Sequence, residues 1–442
     1  MELKPISSEF EGASLGDARL ERRALKLADT LAVAPDESFP ELTANDGELE
    51  ALYRFLNNER VTSEALLQPH YLATAQRAET AGRVLVIHDT TGFTFGGETR
   101  RKGLGRMKAG GIHGSQGFYA HMALVAALDS GTPLGVVGTV TVVRDKPPIG
   151  YPDVQSKRHN RVREYERWEN LVELSSERLP KCRCIHVMDR EGDAYTVFCR
   201  LVEKNQDFVI RSKDDRILDV PRGDKDQPRL LHEALECSQY VVAREVHLSP
   251  KRSDRMARLR KAPGRMMRTP KLEVRTTRVD VRHPPFTAGK SRRHSTLPRA
   301  VPLNVVYVRE KKAPAGQKPI SWVLLTNLPI DTVDDVNLII DSYRRRWLIE
   351  EYNKALKSGC SIEKRQLESK HALLNALALF IPIAWRLLAL RTLARATPNA
   401  PASRLLTHRQ VKILRARKKV PLGRVATTQQ ALLAIAAPGA AQ

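Results

Sequence analysis

The chain has 442 residues, 42% of them apolar, with 73 Lys+Arg against 50 Asp+Glu and a formal net charge of +23. That length excludes a single small module and allows two or three domains around a sizeable core. The charge favours a polyanionic partner, with nucleic acid ahead of a membrane surface.

The opening MELKPISSEF lacks a basic stretch followed by an apolar one, so no secretory signal is expected. Leu15, Leu20, Ala24, Leu27 and Leu31 then form a helical stripe, with Arg19, Arg22, Arg23 and Lys26 on the other side. That basic side is either a solvated face or a DNA-contacting one. A second helix is expected over residues 46–57, and a third over 62–78, where Thr62-Ser63-Glu64 offers capping chemistry. Residues 1–75 thus read as a helical DNA-binding domain.

From Arg83 the period changes. RVLVIHDTT reads as a buried strand ending at His88-Asp89, followed by turn signals at Gly96-Gly97. Strands are expected over 117–128 and 133–143, separated by the turn Asp129-Ser130-Gly131-Thr132. A charged helix over 157–178 follows, with Trp168, Leu171 and Leu174 on its apolar side, then a strand over 182–188 that ends at Asp189. A helix over 193–204 and a short strand over 208–211 complete this region. Three strands, a helix, a strand and a helix is the order of a ribonuclease-H-like core, so 76–211 is its expected first part. Cys182, Cys184, Cys199, Cys237 and Cys360 show neither CxxC pairs nor zinc spacing, so neither a zinc site nor a disulfide framework is indicated, and such usage suits a reducing cytoplasm.

Residues 212–330 form a strand-rich insertion, with alternation or β-branched runs at 240–248, 272–282, 303–309 and 322–326. Between residues 251 and 300 there are sixteen Lys/Arg against three Asp/Glu. Part of that run reads as a solvated loop, the rest as a surface presenting cations to a phosphate backbone. One helix is expected over 331–357, capped by Asp331 or Thr332. It carries Tyr343, Arg346, Glu350 and Lys357 at spacings that return to one face. The apolar run 372–390 contains Asn375, Pro382 and Arg386 and reads as a buried helix, not a membrane span. Residues 331–366 then close the core, and 367–442 form a C-terminal helical region.

Asp89, Asp189 and Glu350 supply the three carboxylates that divalent-metal phosphoryl chemistry can use, with Asp89 as the bridging ligand of two ions. Glu191 and Asp193 compete with Asp189, and Glu351 with Glu350; strand-end placement and helical phase favour the first of each set.

YRRRWLIEEYNKALK fits the signature YxxRxxxExxxxxxK and so resembles the YREK motif of DDE transposases of insertion-sequence family four. HDTT, MDREGDAY, FVIRSK and WVLLT extend the resemblance, as do LGDARLERR and YRFLNN in the N-terminal region. It spans residues 9–390. The resemblance implies catalytic, metal-binding acids at Asp89, Asp189 and Glu350, and phosphate contacts from Tyr343, Arg346 and Lys357. It also implies a flipped base on Trp322 and a cation near a DNA hairpin at Arg211, while Trp347 is expected to pack. It further implies two Mg2+ ions, with Mn2+ as a substitute, transposon ends and target DNA as partners, and a homodimer in the synaptic complex. The expected activity is cut-and-paste transposition in the bacterial cytoplasm, on the nucleoid. A ribonuclease-H-like nuclease without strand transfer and a non-cleaving DNA-binding descendant are the rivals.

Overall fold

The structure, a computed structural model, describes residues 4–96, 100–107, 116–144, 153–221, 226–247, 266–284, 297–317, 319–404, 406, 408–416 and 422–436. The chain forms two compact units, Met1–Cys182 with Trp347–Gln442, and Arg183–Arg346.

The first unit begins with helices whose starts the sequence dictates. Asp17, Asn45 and Thr62 each accept a hydrogen bond from a backbone N–H of the first turn, capping α1 (Ala18–Val33), α3 (Asp46–Asn57) and α4 (Ser63–Ala81); the single-turn α2 (Phe39–Leu42) lies between the first two. Ala24, Leu27, Ala28 and Leu31 of α1 are buried, so its apolar stripe faces inward. On the other side Arg19 and Arg22 are exposed, whereas Lys26 pairs with Glu48 at 2.6 Å.

The strands follow: β1 (Arg83–Phe95), β2 (Gly105–Arg106), β3 (Gln116–Ala127) and β4 (Pro133–Val142). β3 pairs antiparallel with β1 from Val84↔Ala127 to Phe95↔Gln116, and with β2 and β4. α4 packs directly on β4. That close approach requires Gly135, whose φ is +147° and where a Cβ would lie 1.9 Å from Thr74 Oγ1. α5 (Asp153–Arg178) packs on β4 and β3 through Trp168, Leu171 and Val172.

The second unit runs β5 (Arg183–Met188), α6 (Tyr195–Glu203), β6 (Asp207–Arg211), α7 (Leu231–Glu236), β7 (Gln239–Glu245), β8 (Lys271–Arg282), β9 (Ala300–Arg309), β10 (Ser321–Thr326) and α8 (Val333–Arg345). Its strand order is β5-β6-β10-β9-β8-β7. The β5–β6 pair is parallel, as its helical crossover demands, and the others are antiparallel. Cations of the insertion meet acids within the unit. Glu273 takes Arg275, Arg309 and Lys311, Glu310 takes Arg268, and Asp341 takes Arg244. The described part of the expected phosphate-facing surface is therefore largely compensated, and residues 251–265 and 285–296 of that run lie outside the described residues.

The chain re-enters the first unit with α9 (Trp347–Lys354), a π-helical turn at Ala355–Gly359, α10 (Lys370–Ala396), α11 (His408–Ala416) and α12 (Thr428–Ala436). α10 alone among the described helices is long and apolar enough to cross a membrane, and 78% of its most apolar window is buried in the fold. It packs against α1, α3, α4, β4 and α9. Asn375, a buried polar residue within it, donates to the carbonyls of Leu56 and Val61 at 3.0 and 2.7 Å. The class is the mixed α/β one expected, with helical regions at both termini and the element order of a ribonuclease-H-like core.

One element differs. The helix expected over 331–357 is two: Thr332 and Asp335 form a capping box for α8, Arg346 is a turn, and α9 restarts at Trp347. Arg346 itself keeps right-handed helical dihedrals, φ −51° and ψ −29°, and after α9 the backbone widens to π geometry at Ala355–Gly359.

Candidate active site

Of the eight residues singled out in the sequence, Asp89, Glu350 and Lys357 belong to the first unit. Asp189, Arg211, Trp322, Tyr343 and Arg346 belong to the second.

In the first unit, Asp89 lies inside β1, opposite Met122, and not at the strand's end. The strand continues because Thr90, Thr91, Phe93 and Phe95 are β-formers, and Phe93 and Phe95 pack on Phe118 with ring centroids 5.5 and 5.9 Å away. Val84 to His88 are fully buried, whereas Asp89 is half-buried. Behind it, the Thr90 hydroxyl accepts from Arg167 Nε at 3.2 Å and lies 2.9 Å from His121 Nδ1. Burial, reinforced by the Arg167 charge, holds the His121 pKa well below the usual histidine value. His121 packs on Trp168, with centroids 4.1 Å apart, as a neutral ring.

α9 and the π turn bring two side chains, Asn353 and Lys357, onto this strand. Asn353 Nδ2 donates to Asp89 Oδ2 at 2.7 Å. Lys357 Nζ donates to the Gly92 carbonyl at 2.6 Å and lies 5.6 Å from the Phe93 ring centroid. Glu350 is half-buried one turn before Asn353 on the same helix. Glu351, its competitor, is occupied: it pairs with Arg391 and Arg395 of α10, each at 3.3 Å.

In the second unit, the last parallel pair of β5 and β6 is Met188↔Ile210, so Asp189 and Arg211 follow at the same end of neighbouring strands. Asp189 Oδ1 accepts from Glu191 N at 2.8 Å, which closes the turn after β5. Asp193 is nearly inaccessible. It accepts from Ser212 Oγ, Lys213 N, Asp214 N and Arg216 Nη2 at 2.5 to 3.2 Å, which commits it to the loop after β6. Glu191 is exposed. Arg211 pairs with Leu324 of β10, and its Nη2 donates to the Ser321 carbonyl at 3.0 Å. Trp322, the next residue, is half-buried and meets Tyr343 of α8 edge-on, with centroids 5.6 Å apart. This unit therefore gathers Arg211, Trp322 and Tyr343, with Arg346 in the turn that donates its N–H to the Tyr343 carbonyl. Trp347, expected to pack, is 50% exposed.

Sequence reasoning missed Asn353. Its only local signal is the three-residue spacing from Glu350, since its partner lies 264 residues upstream.

Comparison with known proteins shows the family. Residues 5–61 match the transposase DNA-binding family, and residues 157–381, just over half of the chain, match the transposase DDE domain. The chain belongs to the DDE transposase family. It is a DNA-cleaving and DNA-transferring enzyme with a helical DNA-binding region, and DDE transposase domains use divalent metal ions. The matched domain range contains all the residues singled out above except Asp89. Among solved structures, this transposase is similar to the piggyBac transposase in its synaptic complex with hairpin DNA. The two share 11% identity over 89% of this chain and 74% of that one, with a TM-score of 0.37.

Proposed function

We propose that this transposase works by cut and paste and groups with the YREK enzymes of insertion-sequence family four. Water displaces the 3′ oxygen from phosphorus at the element's end, leaving a 3′ hydroxyl. That hydroxyl attacks phosphorus on the opposite strand, closes a hairpin and releases the flanking DNA with its own 3′ hydroxyl. A second water opens the hairpin, and the freed 3′ hydroxyl joins to target DNA.

Asp89, Asp189 and Glu350 are the proposed metal-binding acids. The donor set suits Mg2+, with Mn2+ as a substitute: Asp89 and Glu350 offer hard oxygens, and beside them the Asn353 Oδ1 is buried without a hydrogen-bond partner. Among the described residues no group of three or more His, Cys, Asp or Glu side chains could by itself hold an ion. Magnesium does not require one, because it is commonly held by one or two carboxylates together with waters and substrate phosphates. Two such ions would supply charge stabilisation at phosphorus and a nucleophile at neutral pH.

What most supports a multistep transposase over a simple nuclease is the Arg211–Trp322–Tyr343 cluster. A half-exposed indole braced by a tyrosine edge is a stacking platform for an unpaired base, and base capture is useful where a strand must fold back into a hairpin. Arg346 and Lys357 are assigned to DNA phosphates. Residues 1–75 bind the element's ends, and 367–442 pair two protomers across two ends. The enzyme acts on the nucleoid in a bacterial cytoplasm. Incubation with Mg2+, a DNA fragment bearing the element's ends and a target plasmid tests the reading. Hairpin-ended and joined products are expected, whereas hydrolysis alone would make the protein a nuclease and no cleavage at all a DNA-binding descendant.

A further inference from the structure

We propose that Asn353 is a positioning residue that fixes the Asp89 carboxylate for metal binding by donating its amide N–H to Oδ2. This rests on the reading of Asp89 as a metal ligand. The side chain is only 8% exposed, sits three residues after Glu350 on α9, and reaches β1 with a 2.7 Å hydrogen bond. An ionised carboxylate only accepts, so the amide must present nitrogen to it, which leaves the amide Oδ1 as the buried atom without a partner.

The chemistry of the pair argues for an orienting role. A lysine or arginine at this position would compete with a cation for Asp89, a carboxylate would repel it, and an aliphatic group would remove the bond to Oδ2. A neutral amide satisfies one oxygen and leaves the carboxylate its full charge. The bond also ties the helix bearing Glu350 to the strand bearing Asp89, so it restrains two of the proposed metal-binding acids together. The unpartnered Oδ1, an acceptor in the same place, is suited to a metal-bound water. Partners that orient first ligands typically matter about 10- to 100-fold in metal affinity or activity.

The test is a Mn2+ titration of the full-length chain bound to end DNA, read by electron paramagnetic resonance, alongside the Mg2+ dependence of nicking. Asn353→Leu keeps the shape and removes the donor, and should raise the Mn2+ dissociation constant and the half-saturating Mg2+ by about 10-fold or more. Asn353→Gln retains the donor and should recover part of that loss. End-DNA affinity and unfolding temperature should stay near those of the unaltered protein. Should Asn353→Leu not fold, Asn353→Ala gives the same readings. If the donor-lacking variants bind Mn2+ as the unaltered protein does while Asp89→Ala binds it more weakly, the positioning role is wrong. An equal fall in turnover for Leu and Gln, with metal dependence unchanged, would reduce Asn353 to packing. If Asp89→Ala itself leaves Mn2+ binding unchanged, it is the metal assignment of Asp89 that fails.

Discussion

The two units hold their functional side chains in opposite ways. In the first, each group has a partner from its own fold: Asp89 has Asn353, Lys357 has the Gly92 carbonyl, and Glu351 is drawn away by two arginines. In the second, Trp322 is half-buried and meets a tyrosine edge, and Arg211 reaches a backbone carbonyl. Metal chemistry rewards oxygens fixed before the substrate arrives, and stacking rewards a ring with a face left for a guest. The contrast therefore predicts separable defects, with loss of chemistry from the acids, Asp189 of the second unit included, and loss of end capture from the Trp322 cluster.

The largest effect should come from the acids. Asp89→Ala and Glu350→Ala should each lower nicking by at least about 10^3-fold, the several kcal/mol that a bound metal's charge stabilisation contributes. End binding in a gel-shift assay should persist. Asp189→Ala should behave alike, and unchanged Mg2+-dependent cleavage in that variant would remove it from the site. The next largest effect concerns what holds the first unit together. Glu9, buried, accepts from Arg77 Nη1 and Nη2 at 2.8 and 3.0 Å and lies 2.6 Å from His70 Nδ1, while Arg77 Nε donates to the Leu134 carbonyl. This ties the start of the DNA-binding region to α4 and β4. Glu9→Gln should cost about 3 kcal/mol in denaturant unfolding, as expected when one partner of a buried pair is removed. A cost near zero would mean that the firmness of the first unit lies elsewhere.

Trp322→Ala tests the other side of the contrast. Loss of one base–aromatic stack is about 1–3 kcal/mol, so hairpin formation should fall roughly 5- to 150-fold. First-strand nicking should stay nearly intact. If nicking falls as far as hairpin formation, Trp322 is a structural residue and base capture is not separable from chemistry as proposed.

Much of this arrangement was legible in the sequence, and the gaps have physical reasons. The strands at 133, 183, 207 and 321 were found because β-branched and apolar runs bounded by turns have few other uses. β1 was cut short at Asp89 because two threonines, a glycine and Gly96-Gly97 follow the acid. Only pairing with β3, more than twenty residues on, carries the strand to Phe95. The break at Arg346 was invisible because YRRRWLIE contains no glycine or proline and is helix-compatible throughout. Asn353 was missed because its meaning depends on a residue on a distant strand. Among the competing acids, Asp193 is bound to Arg216 and the loop after β6, and Glu351 pairs with Arg391 and Arg395, partners that lie far along the chain and leave no local mark in the sequence.

The smallest predicted effect is pH-dependent and again sets the first unit's closed network apart. Burial opposes ionisation of Glu9, but the hydrogen bond from His70 and the bonds and charge of Arg77 outweigh it and hold the carboxyl at about 2. Val136 N donates to His70 Nε2 at 3.1 Å, so the His70 proton sits on Nδ1 and is donated to Glu9. Burial, with the nearby arginine charges, lowers the His70 pKa and keeps the ring neutral. Both folded-state pKa values are depressed, so the unfolded chain binds more protons at acidic pH. Stability should fall as pH drops below about 6.5 through His70, and again below about 4.5 through Glu9. In Glu9→Gln the second of these losses disappears, and its stability deficit relative to the unaltered protein should shrink between pH 5 and pH 3 by at most about 1.4 kcal/mol per pH unit. A deficit that stays constant over that range would mean that Glu9 contributes packing and neutral hydrogen bonds, and that its charge is not what closes the network.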